Sequence, residues 1–168
     1  MSDPEEQLEI VNEEGEVVGR ALRSVIHGNP ALCHRVVHVM VIDDQGRILL
    51  QQRSLGKDVA PGKWDTSVGG HVGIGEELLL AARREMEEEL GIDASELEHL
   101  YTYTHSNPHE TERVTTYRCV YSGEIFFNRD EIDEVRYWSL EEIREAMGKG
   151  KFSDNFEHEF RMYLSAAK

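Results

Sequence analysis

Between Glu76 and Leu90 the chain takes on a helical period. Leu79, Ala82, Met86 and Leu90 recur at steps of three, four and four, one apolar stripe of an α-helix, and Gly91 follows where such a helix stops. The same stretch carries Glu85, Glu88 and Glu89 at i, i+3 and i+4. At ~100° per residue these fall within an arc of ~100° on one face. Each like-charge pair costs a helix ~0.2–0.5 kcal/mol. A hard divalent cation would offset that repulsion, because Mg²⁺ and Mn²⁺ take oxygen ligands and few protein carboxylates per ion. Arg84 can reach Glu88 at i+4 or hold a neighbouring carboxylate through a bidentate pair. Read in isolation, the triad is more simply a solvated acidic face.

The flanking sequence is strand-like. Leu8–Val11 and Val17–Leu22 surround Asn12-Glu13-Glu14-Gly15 and read as a hairpin. The run from Val36 to Ile42 is β-branched and nearly continuous, as expected of a strand covered on both faces. Asp43-Asp44-Gln45-Gly46 is turn chemistry, and Arg47–Gln52 returns as a second strand. Gly56 to Trp64 reads as an exposed loop. Strands resume at His99–Thr104, Val114–Ile125 and Glu134–Trp138. A helix follows from about Ser139, and Ser153–Ala167 forms a closing helix. The reading is one mixed α/β domain over 1–168, with an N-terminal hairpin at about 8–22 and a core at about 34–165.

Thirty-three Asp and Glu against 18 Lys and Arg give a formal charge of -15. That balance opposes sheathing of a nucleic-acid backbone, so no stable nucleic-acid complex is expected. No apolar run approaches the ~20 residues of a membrane span. The acidic N-terminus lacks a signal-like apolar stretch, and the two cysteines, Cys33 and Cys119, form no disulfide pattern. A cytoplasmic setting is the expectation; oligomeric state is left open.

The spacing around the triad is more specific than the triad. From Gly70 to Ile92 the order is G-x5-E-x7-R-E-U-x-E-E-x-G-U, with U a large apolar residue. All nine constrained positions, from Gly70 and Glu76 to Gly91 and Ile92, are filled. This stretch resembles the signature of the Nudix hydrolase family. The resemblance implies an α/β/α sandwich with a mixed central sheet, in which residues 70–92 form a loop–helix–loop. It implies hydrolysis of a diphosphate bond in a nucleoside diphosphate derivative or related organic pyrophosphate, with Mg²⁺ or Mn²⁺. On that pattern Glu85 and Glu89 are the main metal ligands, and Glu88 is a further ligand or the base for the attacking water. Arg84 orients them, and the backbone carbonyl of Gly69 joins the metal shell.

A second resemblance runs from about residue 8 to 125. Leu49–Ser54, Pro61–Trp64 and Ser67–His71 look like the branch containing type 1 isopentenyl diphosphate isomerase. That isomerase holds a metal with three His and two Glu, matched here by His27, His34, His71, Glu110 and Glu112. Its diphosphate contacts fall on Arg53 and Lys57. Its catalytic Cys falls on Gly69, and an arginine that binds diphosphate falls on Glu85. The chain is therefore isomerase-like in outline and hydrolase-like in chemistry, with an isomerase-like enzyme as the alternative function.

The remaining residues divide between site and scaffold. His71 and Glu112 are candidates for additional metal or substrate contacts. His27 and His34 read as structural or surface histidines, and His38 as a hydrogen-bonded core residue. Trp64 and Tyr101 read as core packing. Glu76 is expected to begin the helix, where a carboxylate favours the positive end of the dipole. Glu77 and Glu87 face solvent, and Cys33 and Cys119 are small buried or half-buried side chains.

Overall fold

The computed structural model describes residues 6–57, 60–93 and 96–166. In chain order the elements are β1 (Gln7–Val11), β2 (Val17–Leu22), α1 (Arg23–Ile26), β3 (Cys33–Ile42), β4 (Ile48–Arg53), β5 (Trp64–Asp65), β6 (Val68–His71), α2 (Leu78–Leu90), β7 (Glu98–Ser106), β8 (Thr111–Val120), β9 (Ile132–Trp138), α3 (Leu140–Ala146) and α4 (Asp154–Ala166). Strand β3 is the axis of the sheet. One edge pairs with β8 in parallel over its whole length, Cys33↔Thr111 to Ile42↔Val120. The other edge pairs antiparallel with β1, β6 and β4 in succession. β3 and β4 share only Ile42↔Ile48, so they diverge, and β6 occupies the space between them. β1 and β2 form the expected hairpin.

The uninterrupted apolar run of β3 is explained by layers on both of its faces. Val37, Val39 and Val41 join Ala81, Ala82, Met86 and Leu90 of α2 in one core. Met40 and Ile42 join Ile143 of α3 and Phe156 and Phe160 of α4 in another. The result is a helix–sheet–helix sandwich with a mixed sheet. Full burial of a side chain such as Met86 contributes ~1.5–3 kcal/mol, so the α2 stripe fixes how that helix is rotated. Gly91 ends α2 in the left-handed region at φ 66°, which costs glycine nothing. At the start of α3 Ser139 accepts from the Glu142 N–H, while the Glu142 carboxylate accepts from the Ser139 N–H, a closed capping box.

Several boundaries move. α2 begins at Leu78, so Glu76 lies before the helix; its carboxylate accepts from the Gly73 N–H and from Arg84 instead of capping a dipole. Trp64 belongs to β5 and packs edge-on against Trp138, with ring centroids 5.3 Å apart, so the expected loop ends one residue earlier. β8 stops at Val120, short of Ile125. The closing helix starts at Asp154, and Ala167 lies outside the described residues. Among the described residues no helix is long and apolar enough to cross a membrane.

Candidate active site

Where β3 and β4 part, the structure holds a cavity of about 660 Å³ whose wall includes Gly69, Gly70, Glu85, Glu89, His71, Glu112, Arg53 and Lys57. How the α2 carboxylates reach it follows from helix geometry. Taking the centre of the Ala82–Met86–Leu90 stripe as zero and ~100° per residue, Glu89 lies ~60° from it, Glu85 ~100° and Glu88 ~160°. Burial follows the same order. Glu89 is 8% exposed, Glu85 is half-buried, and the Glu88 side chain is 58% exposed. The three carboxylates therefore do not share one environment: Glu85 and Glu89 line the cavity, and Glu88 points outward with Arg84 3.3 Å away.

Glu89 is held by Gln51, whose amide donates to Glu89 Oε1 at 2.9 Å and to the Ser67 carbonyl at 2.9 Å. Its other oxygen, Oε2, is buried without a partner among the described residues. Burial, reinforced by a hydrogen bond to Glu85, pushes the Glu89 carboxyl well above the usual range; burial also raises Glu85, against the pull of Arg84. Both directions favour a proton held by the pair when no cation is present. Gly70 supplies the space: a Cβ there would collide with the Glu85 carboxylate.

Arg84 organises the outer side of this pair. Its Nε and Nη2 fork onto Glu76 at 2.9 and 3.0 Å, Nη1 donates to Glu85 at 2.8 Å, and Nη2 also donates to the His71 carbonyl at 3.1 Å. These bonds, Glu76 first, hold Glu76 below the ordinary carboxylate range and Arg84 above the ordinary guanidinium range. At the far side Arg53 lies 3.6 Å from Asp65 and Lys57 3.2 Å from Glu131, so both cations reach the cavity already beside carboxylates.

A second cluster gathers residues from four elements. His27 follows α1, His34 is on β3 and His71 on β6, and their ring centroids lie 5.1–5.5 Å apart. Glu112 on β8 approaches His34 at 3.7 Å, and Glu110 approaches His27 at 3.4 Å. Ligand atoms of the three histidines lie within 4.8 Å of one another, as do those of His34, Glu110 and Glu112, so each trio could hold a cation. Burial drives His34 and His71 down to about 3, aided at His34 by the neighbouring His71 and at His71 by Arg23. Both rings are then neutral and able to ligate. Burial, and next Glu110, raises Glu112 to about 8. His27 and His71 line the cavity, and His34 is buried against them.

Two cavity features carry no signal in residue spacing. Gln51 is a polar residue in an apolar strand, on the same face as Leu49 and so directed at α2. His38 on β3 is buried, as expected, but it also lines the cavity, and its Nδ1 lies 2.6 Å from Glu159 on α4. Burial would lower the His38 pKa, but Glu159 overrides it and holds the ring above the ordinary range. Burial would likewise raise Glu159, and His38 holds it below. Tyr101 does not simply pack the core: its hydroxyl donates to Glu159 at 2.9 Å. Cys33 is half-buried and Cys119 buried, and burial pushes both thiols up.

Comparison with known proteins bears on the family and the fold. The family profile of the NUDIX domain matches residues 33–157. The uncharacterized Nudix hydrolase YfcD of Escherichia coli strain K12 is 37% identical over 138 residues, 82% of this chain and 76% of that protein. An isopentenyl-diphosphate Delta-isomerase of Streptomyces avermitilis is 34% identical over 155 residues, 89% of this chain and 79% of that protein. The crystal structure of DR0079 from Deinococcus radiodurans superposes with a TM-score of 0.78 at 27% identity, covering 94% of this chain and 98% of that one.

Proposed function

The chain belongs to the Nudix family, and from that premise we propose that it is a metal-dependent hydrolase cleaving a diphosphate bond in a nucleoside diphosphate derivative or related organic pyrophosphate. The observation that carries the reading is the Glu85–Glu89 pair. Two carboxylates face one cavity from one helix, one of their oxygens is buried without a partner among the described residues, and burial disfavours the charge of both. Buried oxygen ligands of this kind fit Mg²⁺ or Mn²⁺. Glu85, Glu89 and the Gly69 carbonyl would hold the ion. When bound, such an ion neutralises the diphosphate, lowers the pKa of its water and stabilises charge in the transition state.

The chain's own residues have separable roles. Gln51 and Arg84 fix Glu89 and Glu85 in place, so little reorganisation accompanies binding. Glu88, in solvent beside Arg84, is the further ligand or the base for the attacking water. Arg53 and Lys57 bind phosphate oxygens by exchanging Asp65 and Glu131 for the substrate. His71 and Glu112 lie across the cavity with His27, His34 and Glu110, a set suited to a further cation.

That histidine cluster favours one second reading, an isopentenyl diphosphate isomerase-like enzyme. Gly69 stands against it, because moving a double bond needs an acid and a base placed to transfer protons, and Gly69 has no side chain to supply one. The deciding experiment incubates the Mg²⁺-loaded chain with nucleoside di- and triphosphates, sugar nucleotides, dinucleotides and prenyl diphosphates. Diphosphate cleavage and double-bond migration are followed separately, with product identification. Cleavage of at least one nucleoside diphosphate derivative, abolished by chelator and restored by Mg²⁺ or Mn²⁺, is expected. Isomerisation without cleavage, or full cleavage in excess chelator, would overturn the hydrolase reading.

A further inference from the structure

One buried pair beside the cavity has no role in the arrangement above. Glu159 is fully buried, and four donors surround its carboxylate: His38 Nδ1 at 2.6 Å, Thr116 at 2.6 Å, Tyr101 at 2.9 Å and, more weakly at 3.3 Å, the Tyr103 hydroxyl, whose one proton is shared with Asn155 Oδ1 at 2.6 Å. Withdrawing a carboxylate from water costs several kcal/mol unless a counter-charge and hydrogen bonds replace the hydration. Of the four donors only His38 can carry the counter-charge. With Nδ1 committed to Glu159, Nε2 is the remaining donor of the ring, and among the described residues it has no hydrogen-bond partner.

That nitrogen is directed at the site. The Cδ2–Nε2 edge of the ring lies against Gly69, 3.1 and 3.2 Å from where a Cβ on that residue would stand, and His38 lines the cavity. A side chain at position 69 would press on the ring, so the glycine gives the imidazole its room.

We propose that His38 is a substrate-binding residue that donates from Nε2 to a phosphate oxygen of the substrate, and that Glu159 is the positioning residue that fixes its ring. The inference rests on the diphosphate reading and adds to it a fixed hydrogen-bond donor beside Gly69. Its use follows from the surroundings. Arg53 and Lys57, the other basic side chains named for phosphate, must first leave Asp65 and Glu131. A histidine clamped by a buried carboxylate has its orientation set before the substrate arrives, so little side-chain entropy is lost on binding.

The test uses the full chain with Mg²⁺ and methylenediphosphonate, a diphosphate analogue that cannot be hydrolysed. Calorimetry compares the wild type with His38→Gln and Glu159→Gln, and ¹⁵N-histidine spectra follow the ring nitrogens of the wild type during the titration. Loss of one charge-assisted hydrogen bond weakens binding about 10- to 100-fold. His38→Gln should show that loss while keeping a cooperative melt, Glu159→Gln should show a smaller one, and the His38 Nε2 resonance should move on binding. Equal affinity in a folded His38→Gln variant, or a wild-type Nε2 resonance that does not move while the analogue binds, overturns the proposal. If His38→Gln does not fold, the wild-type spectrum decides alone. If the wild type binds no analogue and cleaves no diphosphate, the hydrolase reading fails, and the role of His38 fails with it.

Discussion

His38 and Glu159 join strand to helix as a pair of opposite charge, whereas Glu85 and Glu89 sit one turn apart on the same helix as a pair of like charge. Both pairs border one cavity. The first is complete: every donor around Glu159 is satisfied, and the counter-charge is part of the chain. The second is incomplete: Glu89 Oε2 has no partner among the described residues, and burial disfavours the charge of both carboxylates. A buried polar group that the protein leaves unsatisfied marks the place where something else binds. The first pair shows that this fold can neutralise a buried carboxylate by itself, so the deficit at the second supports the proposed cation-binding role of Glu89.

The sharpest break of that comparison is Glu89→Gln. If the deficit exists to hold a cation, removing the charge lowers kcat by about three orders of magnitude, because metal stabilisation of the transition state is worth several kcal/mol. The metal-free variant should be about as stable as the wild type, since burial already disfavours the Glu89 charge and a neutral amide has much the same shape as the protonated carboxyl. Near-wild-type turnover by a folded variant would remove Glu89 from the site. Glu159→Gln should behave in the opposite way. Breaking a buried ion pair costs ~3–5 kcal/mol, and the lower end is expected because the amide oxygen still accepts from the tyrosine and threonine hydroxyls. Urea denaturation measures it; a loss under ~1 kcal/mol would mean that the pair is not a structural element.

The contrast also locates what could be read from the sequence. Continuous apolar character in β3 does signal layers on both faces, because a strand with one wet face alternates. The nine-position spacing identifies the loop–helix–loop, because each position has its own geometric task there. The rotation of α2 was legible in principle: the Ala82–Met86–Leu90 stripe places Glu89 nearest the core and Glu88 farthest from it. Treating the triad as one face overlooked this. His38–Glu159 was not legible, since the partners lie 121 positions apart and neither has a motif. The grouping of His27, His34 and His71 likewise depends on where α1, β3 and β6 converge, which no local period encodes.

A smaller effect separates the two regions by pH. In the metal-free protein Glu85, Glu89 and Glu112 bind protons more tightly when folded than when unfolded, so their contribution is full at low pH and is lost as pH rises through the folded value, about 8 for Glu112. His34 and His71, lowered to about 3, act in the opposite sense but only below the ordinary histidine value of ~6.5. Between about pH 6.5 and 8, therefore, stability in chelator should fall, by up to ~1.4 kcal/mol per pH unit for each extra proton the folded state holds. Saturating Mg²⁺ should flatten the slope by replacing the proton between Glu85 and Glu89. His38, raised by Glu159, also loses its contribution as pH rises, and Mg²⁺ leaves that part unchanged. Denaturation midpoints at the two pH values, with and without Mg²⁺, measure the slopes; a slope in chelator that is flat or rises would contradict the shared proton.

The smallest effect probes how complete the satisfied pair is. Tyr101→Phe removes one of four donors to Glu159 and leaves His38 in place. A hydrogen bond to a charged group is worth ~1.5–3 kcal/mol when the group depends on it. Here three donors remain and the ring still packs edge-on against Tyr103, so a loss of about 1 kcal/mol is expected. Tyr101 does not line the cavity, so kcat and KM for whichever diphosphate is cleaved should match the wild type. A variant as stable as wild type would show that Glu159 needs only three donors. A variant with altered KM would mean that the hydroxyl acts through His38 on the bound substrate, and that the two regions are one site.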